Sequence, residues 1–356
     1  MEYLLLILIG IACVWLALLN GMNDLSGMIA TLISTRTLPV RAAQMVAIAG
    51  IWIGITVGVA AVSHTVATGL IDLQRGGFEH SPALTIWFGG TAGAVAWGTL
   101  ARHLGLPTSA THAFVGSLCG ATMVGTLRSD LVLWGFSEFA RNPTELHGVM
   151  KVVAGLMLSP IVGGGLGYFM FKILALSLRR ASQMVNAKLR ALECLAVFLQ
   201  AFSYGTNDAQ KAMGVLAGAL IASGSMQSGP SISFMVPLWV KLLTATSVSV
   251  GAMIGSSKIV RTMGRGLLHV RPAEAFSGQV AAAVSVYGAS LAGAPVSSTQ
   301  VTSSALVGVG GAWRPRHVRW HKVREIMVAW IFTLPGAAAV GSVITLLMKL
   351  LLQAHA

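Results

Sequence analysis

Two Asn-Asp dipeptides, each close to a glycine, stand deep in apolar sequence and constrain this chain more than any other feature. They are Asn23-Asp24 in the first half of the chain and Asn207-Asp208 in the second. A carboxylate within a membrane segment is costly and is usually retained because a function needs it. Two carboxylates in similar surroundings therefore indicate a functional site.

A second pair of similar stretches follows in the same order. The residues 105–112 contain Pro-x-Ser-x-Thr, and so do the residues 293–300. The spacing from Pro107 to Pro295 is nearly the same as the spacing between the two Asn-Asp dipeptides. Each half of the chain therefore carries one Asn-Asp and one Pro-x-Ser-x-Thr. We interpret the chain as an internal duplication, with one site built from both halves.

The composition is that of an integral membrane protein. The mean hydropathy is +0.76, and only 10% of the residues are charged, against about 25% in soluble domains. The net charge of +13 does not require a nucleic-acid partner, because the basic residues concentrate in short loops, as the positive-inside rule predicts. The expected partners are membrane lipids and a small ligand.

Ten apolar stretches are long enough to be candidate membrane crossings, five in each half. They are roughly 3–20, 40–62, 83–101, 108–127, 148–171, 191–206, 230–255, 272–292, 297–312 and 326–348. Because each half has an odd number of crossings, the second half enters the membrane from the side opposite to the first. The pattern predicts an all-α membrane protein with an inverted-topology repeat, as in many secondary transporters.

The predicted boundaries follow from this repeat. The first repeat spans 1–171, a basic cytoplasmic linker spans 172–190, and the second, inverted repeat spans 191–356. With both termini outside, 17 of the 24 basic residues fall on the inner side. Short broken or re-entrant helices are expected over 25–33 and 209–221, after glycines that permit a break.

The Pro-x-Ser-x-Thr stretches predict an anion site. Proline suits the first turn of a helix, and the free N–H groups at a helix start attract anions. The hydroxyls that would line a pocket for a tetrahedral oxyanion such as phosphate belong to Ser109, Thr111, Ser297, Ser298 and Thr299. The alternative is ordinary helix N-capping by serine and threonine.

The Asn-Asp dipeptides predict a cation site. Asp24 and Asp208 supply carboxylate oxygens, and Asn23 and Asn207 supply amide oxygens. Together with free backbone carbonyls they form a set of hard oxygen ligands suited to Na⁺. The same aspartates could take up H⁺ instead, since burial favours a neutral carboxyl group.

Three further polar residues lie near these motifs. His112, which stands opposite Gln300 in the repeat, either donates to the anion or contacts a neighbouring helix. Gln210 and Lys211 follow the second Asn-Asp, and Lys211 could balance Asp208 or contact the anion. For Lys211 we favour a lysine that extends to the membrane surface.

These motifs resemble the inorganic phosphate transporter (PiT) family of cation–phosphate symporters. The resemblance covers nearly the whole chain and is densest at Asn20 to Asp24, Gly105 to Gly120, Ala201 to Gly214 and Gly293 to Gly310. It implies an inverted repeat with hairpin-like broken helices, a site at the repeat interface, and a homodimer. Against the family's pattern, Met22 and Thr206 replace alanine, Tyr204 replaces histidine, Ala110 replaces a hydroxyl residue, and Gln300 replaces a second histidine.

The resemblance assigns roles to the motif residues. Phosphate contacts are expected from Asn23, Ser109, Thr111, Asn207, Ser297, Ser298 and Thr299. The resemblance implies cation coupling at Asp24 and Asp208, which would hold Na⁺; to these we add Asn20 and Gln300 as cation-coupling residues and His112, Gln210 and Lys211 as auxiliaries, from their positions beside the motifs.

The function that we predict is import of inorganic phosphate across a bacterial inner membrane, by symport with Na⁺ or H⁺ through alternating access. A sulfate permease of the same fold is an alternative. An anion channel is another, although two aspartates in the path disfavour it, and a membrane-embedded enzyme or assembly factor is a third. The sequence has no P-loop, HExxH or Gly-x-Ser-x-Gly motif, so we expect no enzyme and no cofactor beyond the co-transported ion.

Overall fold

The computed structural model describes residues 1–104, 108–142, 145–180, 184–227, 234–266 and 271–354, with side chains except at 256–266 and 317. Every regular element within these residues is helical. The helices are α1 Glu2–Ser34, α2 Val40–Val57, α3 Ala61–Thr68, α4 His80–His103, α5 Ala110–Thr126, α6 Phe136–Arg141, α7 Gly148–Ser177, α8 Val185–Gly205, α9 Asp208–Ala222, α10 Leu238–Gly266, α11 Pro272–Leu291, α12 Ser298–Trp313 and α13 Trp320–Ala354, with a 3₁₀ turn at Pro315–His317. The all-helical prediction is confirmed.

The long helices have the length and the apolar composition of membrane-spanning helices. Five stretches in the described residues pass both criteria: Glu2–Ser34, Val40–Val57, Gly148–Ser177, Leu238–Gly255 and Trp320–Ala354. Large apolar side chains also point outward from the bundle, such as Ile161, Phe169 and Phe332, each more than 60% exposed. Such a surface suits lipid, and each predicted crossing overlaps a helix, although the number of crossings stays a prediction.

The predicted helix break occurs in the second half only. There α8 ends at Gly205 and α9 begins at Asp208. The 15 residues of α9 extend about 22 Å, less than a full crossing. In the first half the predicted break before a short helix at 25–33 is wrong, because α1 runs unbroken from Glu2 to Ser34.

The glycine at the expected first break serves close packing instead. A side chain at Gly21 would collide with the backbone carbonyl of Val248 on α10. Its counterpart Gly205 lies equally close to α2, where a Cβ would stand 2.6 Å from the Ile51 carbonyl oxygen. Small residues at such positions let helices approach closely in membranes, which explains both glycines without a break at the first.

The helix contacts come in pairs that match the predicted repeat. By position in their halves, α1, α2, α5 and α7 correspond to α8, α10, α12 and α13. Accordingly α1 packs on α10 while α8 packs on α2, and α5 packs on α13 while α12 packs on α7. These four pairs each join a helix of one half to a helix of the other, so the two halves are interleaved. Between them, α7 and α8 extend into the predicted linker at 172–190.

Candidate functional site

The starts of α5 and α12 have the same local structure. Ser109 caps α5, and its hydroxyl accepts a hydrogen bond from the His112 amide at 3.3 Å. Ser297 caps α12 in the same way, accepting from the Gln300 amide at 3.4 Å. Both serines thus act as N-caps, the alternative role that the sequence left open. Pro107, the first proline of the repeated motif, lies outside the described residues.

The two helix starts meet inside the bundle. The hydroxyl of Thr111, in the first turn of α5, donates to the carbonyl of Val296, just before α12, at 2.9 Å. Thr111 is 1% exposed and Val296 is fully buried. The two Pro-x-Ser-x-Thr stretches therefore form one structure, as predicted, with two positive helix ends directed to a common region.

The two aspartates of the duplication lie at the same place. Thr299, in the first turn of α12, donates to Asp24 Oδ1 at 2.5 Å. Asp24 is 6% exposed and Asp208 is 2% exposed, and the two carboxylates are within electrostatic range of each other. The structure thus brings one carboxylate from each half to the junction of the helix starts.

Lys211 is the third charged group of this site, and our preferred prediction for it is wrong. Its side chain is 2% exposed and forms an ion pair with Asp208, with 2.6 Å between Nζ and Oδ1. The ammonium also donates to the Val296 carbonyl at 2.6 Å and to the Thr111 hydroxyl. A lysine one helical turn after a buried aspartate is close enough to pair with it, whereas the membrane surface is farther away.

The two asparagines have different partners. Asn207 donates to the Ser290 hydroxyl at 3.1 Å and to the Ala294 carbonyl at 3.0 Å, and it accepts from the Val296 amide at 3.0 Å. It therefore holds the segment that leads into α12. Asn23 accepts from the Arg102 guanidinium at 2.5 Å.

Arg102 is a site neighbour that the sequence analysis missed. It counted only as a basic loop residue, yet Arg102 and Ser290 have the same spacing in the chain as Pro107 and Pro295. The pairs Asn23–Arg102 and Asn207–Ser290 are thus equivalent contacts in the two halves. Applying the repeat spacing to every polar residue, and not only to the motifs, would have found Arg102.

Several buried polar atoms at or near this junction have no hydrogen-bond partner among the described residues. They are Asn20 Oδ1, His112 Nδ1, Tyr204 OH, Asp208 Oδ2, Ser298 Oγ and Gln300 Oε1. Buried polar groups are nearly always paired, so a concentration of unpaired ones indicates a place for a polar ligand. Tyr204, which the sequence analysis treated only as a departure from the family, is the counterpart of Asn20 and lies within electrostatic range of both aspartates.

One candidate auxiliary residue belongs to the scaffold around the site. Gln210 joins α9 to the beginning of α3, because its side chain accepts from the Ser63 amide at 3.1 Å and donates to the Val59 carbonyl at 2.5 Å. His112 lies within electrostatic range of Lys211 and is 2% exposed, so it stays with the site.

Glu193 is a buried carboxylate outside this site. Its oxygens accept hydrogen bonds from Thr35 and Thr37, both at 3.0 Å, and its side chain is fully buried. These contacts join the middle of α8 to the residues that follow α1, which supports the interleaved packing of the halves.

The fold and this site define a multi-pass membrane protein with a polar centre formed by both halves of the chain. The model of the phosphate transporter family matches residues 20–341, and the chain therefore belongs to this family. The family and its relatives are transporters, which confirms the prediction of a transporter rather than an enzyme.

Individual relatives extend over nearly the full length. A probable low-affinity inorganic phosphate transporter of Bacillus subtilis is 30% identical over 98% of both chains. A protein of the same description from Rhizobium meliloti is 31% identical over 91% of this chain and 90% of its own. A solved structure described as the sodium-dependent phosphate transporter covers 97% of this chain and 99% of its own, with a TM-score of 0.84. At 21% identity it shows the shared fold.

Proposed function

We propose that this protein imports inorganic phosphate by symport with Na⁺ or H⁺. The observation that carries the proposal is that two helix starts meet beside two buried carboxylates. Each half of the chain contributes one helix start and one carboxylate. The names of the relatives support phosphate as the anion. An anion pocket alone would need no carboxylates, whereas a coupled site needs groups of both kinds.

The helix starts supply the anion side of the site. Backbone N–H groups in the first turns of α5 and α12 have no partners within their helices, and the helix dipoles favour a negative charge there. Among the predicted phosphate ligands, Ser298 offers a buried hydroxyl that is otherwise unpaired, while Thr111 and Thr299 already bond to the protein. Neutral donors suit a carrier because they bind phosphate without retaining it as an arginine cluster would.

Asp24 and its neighbours supply the cation side. The carboxylate of Asp24, together with the unpaired oxygens of Asn20 and Gln300, offers the hard oxygen ligands that suit Na⁺. Protonation of the same carboxylate would serve in an H⁺-coupled cycle. In both cases the cation offsets the repulsion between Asp24 and an incoming phosphate, because a buried unpaired charge is strongly unfavourable. This is the physical basis of coupling in our proposal.

Alternating access fits the interleaved halves. In an inverted repeat, the paired contacts α1–α10 with α8–α2, and α5–α13 with α12–α7, allow two arrangements about one central site that are related by the pseudo-two-fold axis of the repeat. We further propose that both termini face outward from a bacterial inner membrane and that the protein works as a homodimer.

A cavity of about 310 Å³ lies beside the segment that leads into α12. It is lined by His64 and Lys151 and reaches Gly293, whose carbonyl accepts from the Thr65 hydroxyl at 2.7 Å. Gly293 begins the segment that leads into α12. With the termini outside, this cavity opens to the outside, and its lysine would attract phosphate toward the site.

The proposal is tested by uptake of ³²P-phosphate into proteoliposomes. Three conditions are compared: an inward Na⁺ gradient, an inward H⁺ gradient, and no gradient, each with and without excess sulfate. We expect accumulation above equilibrium with one gradient and little competition from sulfate. Uptake that never exceeds equilibrium under either gradient would identify a channel, and strong competition by sulfate would identify a sulfate carrier.

A further inference from the structure

The two aspartates differ in the residue that stands three positions after each of them. Lys211 follows Asp208, and Gly27 occupies the equivalent position after Asp24. Both positions are buried. The duplication therefore provides two comparable carboxylates, of which only one has a lysine attached to the same helix.

The ammonium of Lys211 has no donor left for an anion. A lysine has three N–H groups, and in this structure they are directed to three protein oxygens, those of Asp208, Thr111 and Val296. These acceptors are a carboxylate, a hydroxyl and a backbone carbonyl. The same set of hard oxygens would coordinate a small metal cation such as Na⁺.

Asp24 has a similar threonine, and the Lys211 ammonium lies within its electrostatic range without forming an ion pair with it. Thr299, which corresponds to Thr111, bonds directly to Asp24 at 2.5 Å. Within the part of the chain that the structure describes, no lysine, arginine or histidine forms an ion pair with this carboxylate. The two half-sites thus share a carboxylate and a threonine and differ by one ammonium group.

We propose that the Lys211 ammonium is a tethered cation that occupies the cation position of the second repeat. Two buried aspartates would otherwise require two free cations for charge balance. With Lys211 in place, one free cation, bound at Asp24, is enough. The inference rests on the proposed function, because it concerns the number of coupling ions. It makes Lys211 a positioning and charge-balancing residue, without direct contact to phosphate.

Equilibrium binding of ²²Na⁺ to the purified protein in lipid nanodiscs, without phosphate, tests this inference. Lys211→Gly reproduces the residue of the first half and removes the tethered charge. We expect this variant to bind about one more Na⁺ per protomer than the unmodified protein. Adding Asp208→Asn to Lys211→Gly should abolish the additional binding, because the gained ion needs that carboxylate.

Two variants control for space and for charge. Lys211→Met removes the charge but fills the position, so it should bind no additional Na⁺. Lys241→Met removes a partly buried lysine of α10 that bonds only weakly to Thr56, at 3.4 Å, and it should leave the count unchanged. Should Lys211→Gly not fold, Lys211→Ser provides the same open space with a small polar side chain.

The outcomes separate this inference from the proposed function. A folded Lys211→Gly or Lys211→Ser variant that binds no more Na⁺ than the unmodified protein would overturn the tethered cation. A Lys211→Met variant whose only defect is weaker phosphate binding would also overturn it, because Lys211 would then be an anion ligand. Since Na⁺ is counted without phosphate, the result holds even if the uptake experiment fails.

Discussion

The two halves of the site share their positions and differ in their chemistry. In the first half, α1 is continuous through Asn23-Asp24, Asp24 bonds to a threonine, and Asn23 bonds to a partly exposed arginine. In the second half the helix breaks at Asn207, which is tied to three protein groups, and Asp208 is paired with Lys211. The carboxylate of the second half thus has an internal counter-ion, while the carboxylate of the first half forms no ion pair among the described residues.

This difference assigns separate tasks to equivalent residues. A carboxylate with an internal ammonium partner contributes to the structure, and its removal leaves a buried charge. A carboxylate without such a partner can respond to an ion from solution. The halves can therefore be distinguished by whether a substitution lowers transport, stability or both.

Asp24→Asn should produce the largest effect on function. It removes the carboxylate that we assign to the free cation, while the amide can still accept the hydrogen bond from Thr299. We expect gradient-driven phosphate accumulation to fall to the level of empty liposomes, with little change in the thermal unfolding of the purified protein. Accumulation at the normal level would show that the coupling ion does not bind there.

Asp208→Asn should instead destabilise the protein. It leaves the Lys211 ammonium buried without its counter-ion, which costs about 3–5 kcal/mol. The change is measured as a fall in the midpoint of thermal unfolding in detergent, compared with Asp24→Asn. Combining Asp208→Asn with Lys211→Met removes both charges and should recover most of the stability, and failure to recover would show that the ion pair is not the cause.

Asn207→Ala and Asn23→Ala compare the two asparagines directly. Asn207→Ala leaves the buried Val296 amide and Ala294 carbonyl unpaired, and we expect a loss of about 2–4 kcal/mol. Asn23→Ala removes one contact with a partly exposed arginine and should cost about 1 kcal/mol or less. Equal losses in thermal unfolding experiments would contradict the structural role that we give to Asn207.

The sequence predicts the shared part of this comparison well. The composition, the two Asn-Asp dipeptides and the two Pro-x-Ser-x-Thr stretches predict the helical membrane fold and the meeting of Asp24, Thr111 and Thr299. They do so because the similar motifs of the two halves meet at one interface. Capping by Ser109 and Ser297 also follows from local chemistry alone.

The differences between the halves could not be predicted because they depend on tertiary contacts. A glycine permits both a helix break and a close helix approach, and only the position of α10 decides for Gly21. A lysine after a buried aspartate can extend to the membrane surface or turn inward, and only the oxygens of Thr111 and Val296 decide for Lys211. Likewise, Arg102 becomes a neighbour of Asn23 through the packing of α4 on α1.

Ser298→Ala should give the smallest change and addresses the anion side of the comparison. It converts the start of α12 into that of α5, where Ala110 occupies the equivalent position. Because the Ser298 hydroxyl is buried without a protein partner, its removal should change the unfolding free energy by no more than about 0.5 kcal/mol. A hydrogen bond to a charged ligand contributes roughly 1.5 kcal/mol or more, so the KM for phosphate should rise about tenfold.

The matched control for Ser298→Ala is its neighbour Ser297→Ala. This variant removes an N-cap and should cost about 1 kcal/mol of stability, with a smaller effect on KM, because the Ser297 oxygen accepts from the Gln300 amide and has a structural role that Ser298 lacks. The opposite pattern, with the larger change in KM for Ser297→Ala, would mean that the capping serine contacts phosphate. The anion would then lie nearer to the helix axis of α12, and the two helix starts would bind it through the equivalent serines Ser109 and Ser297. The two halves of the site would then differ only in their cations, a free ion at Asp24 and the Lys211 ammonium at Asp208.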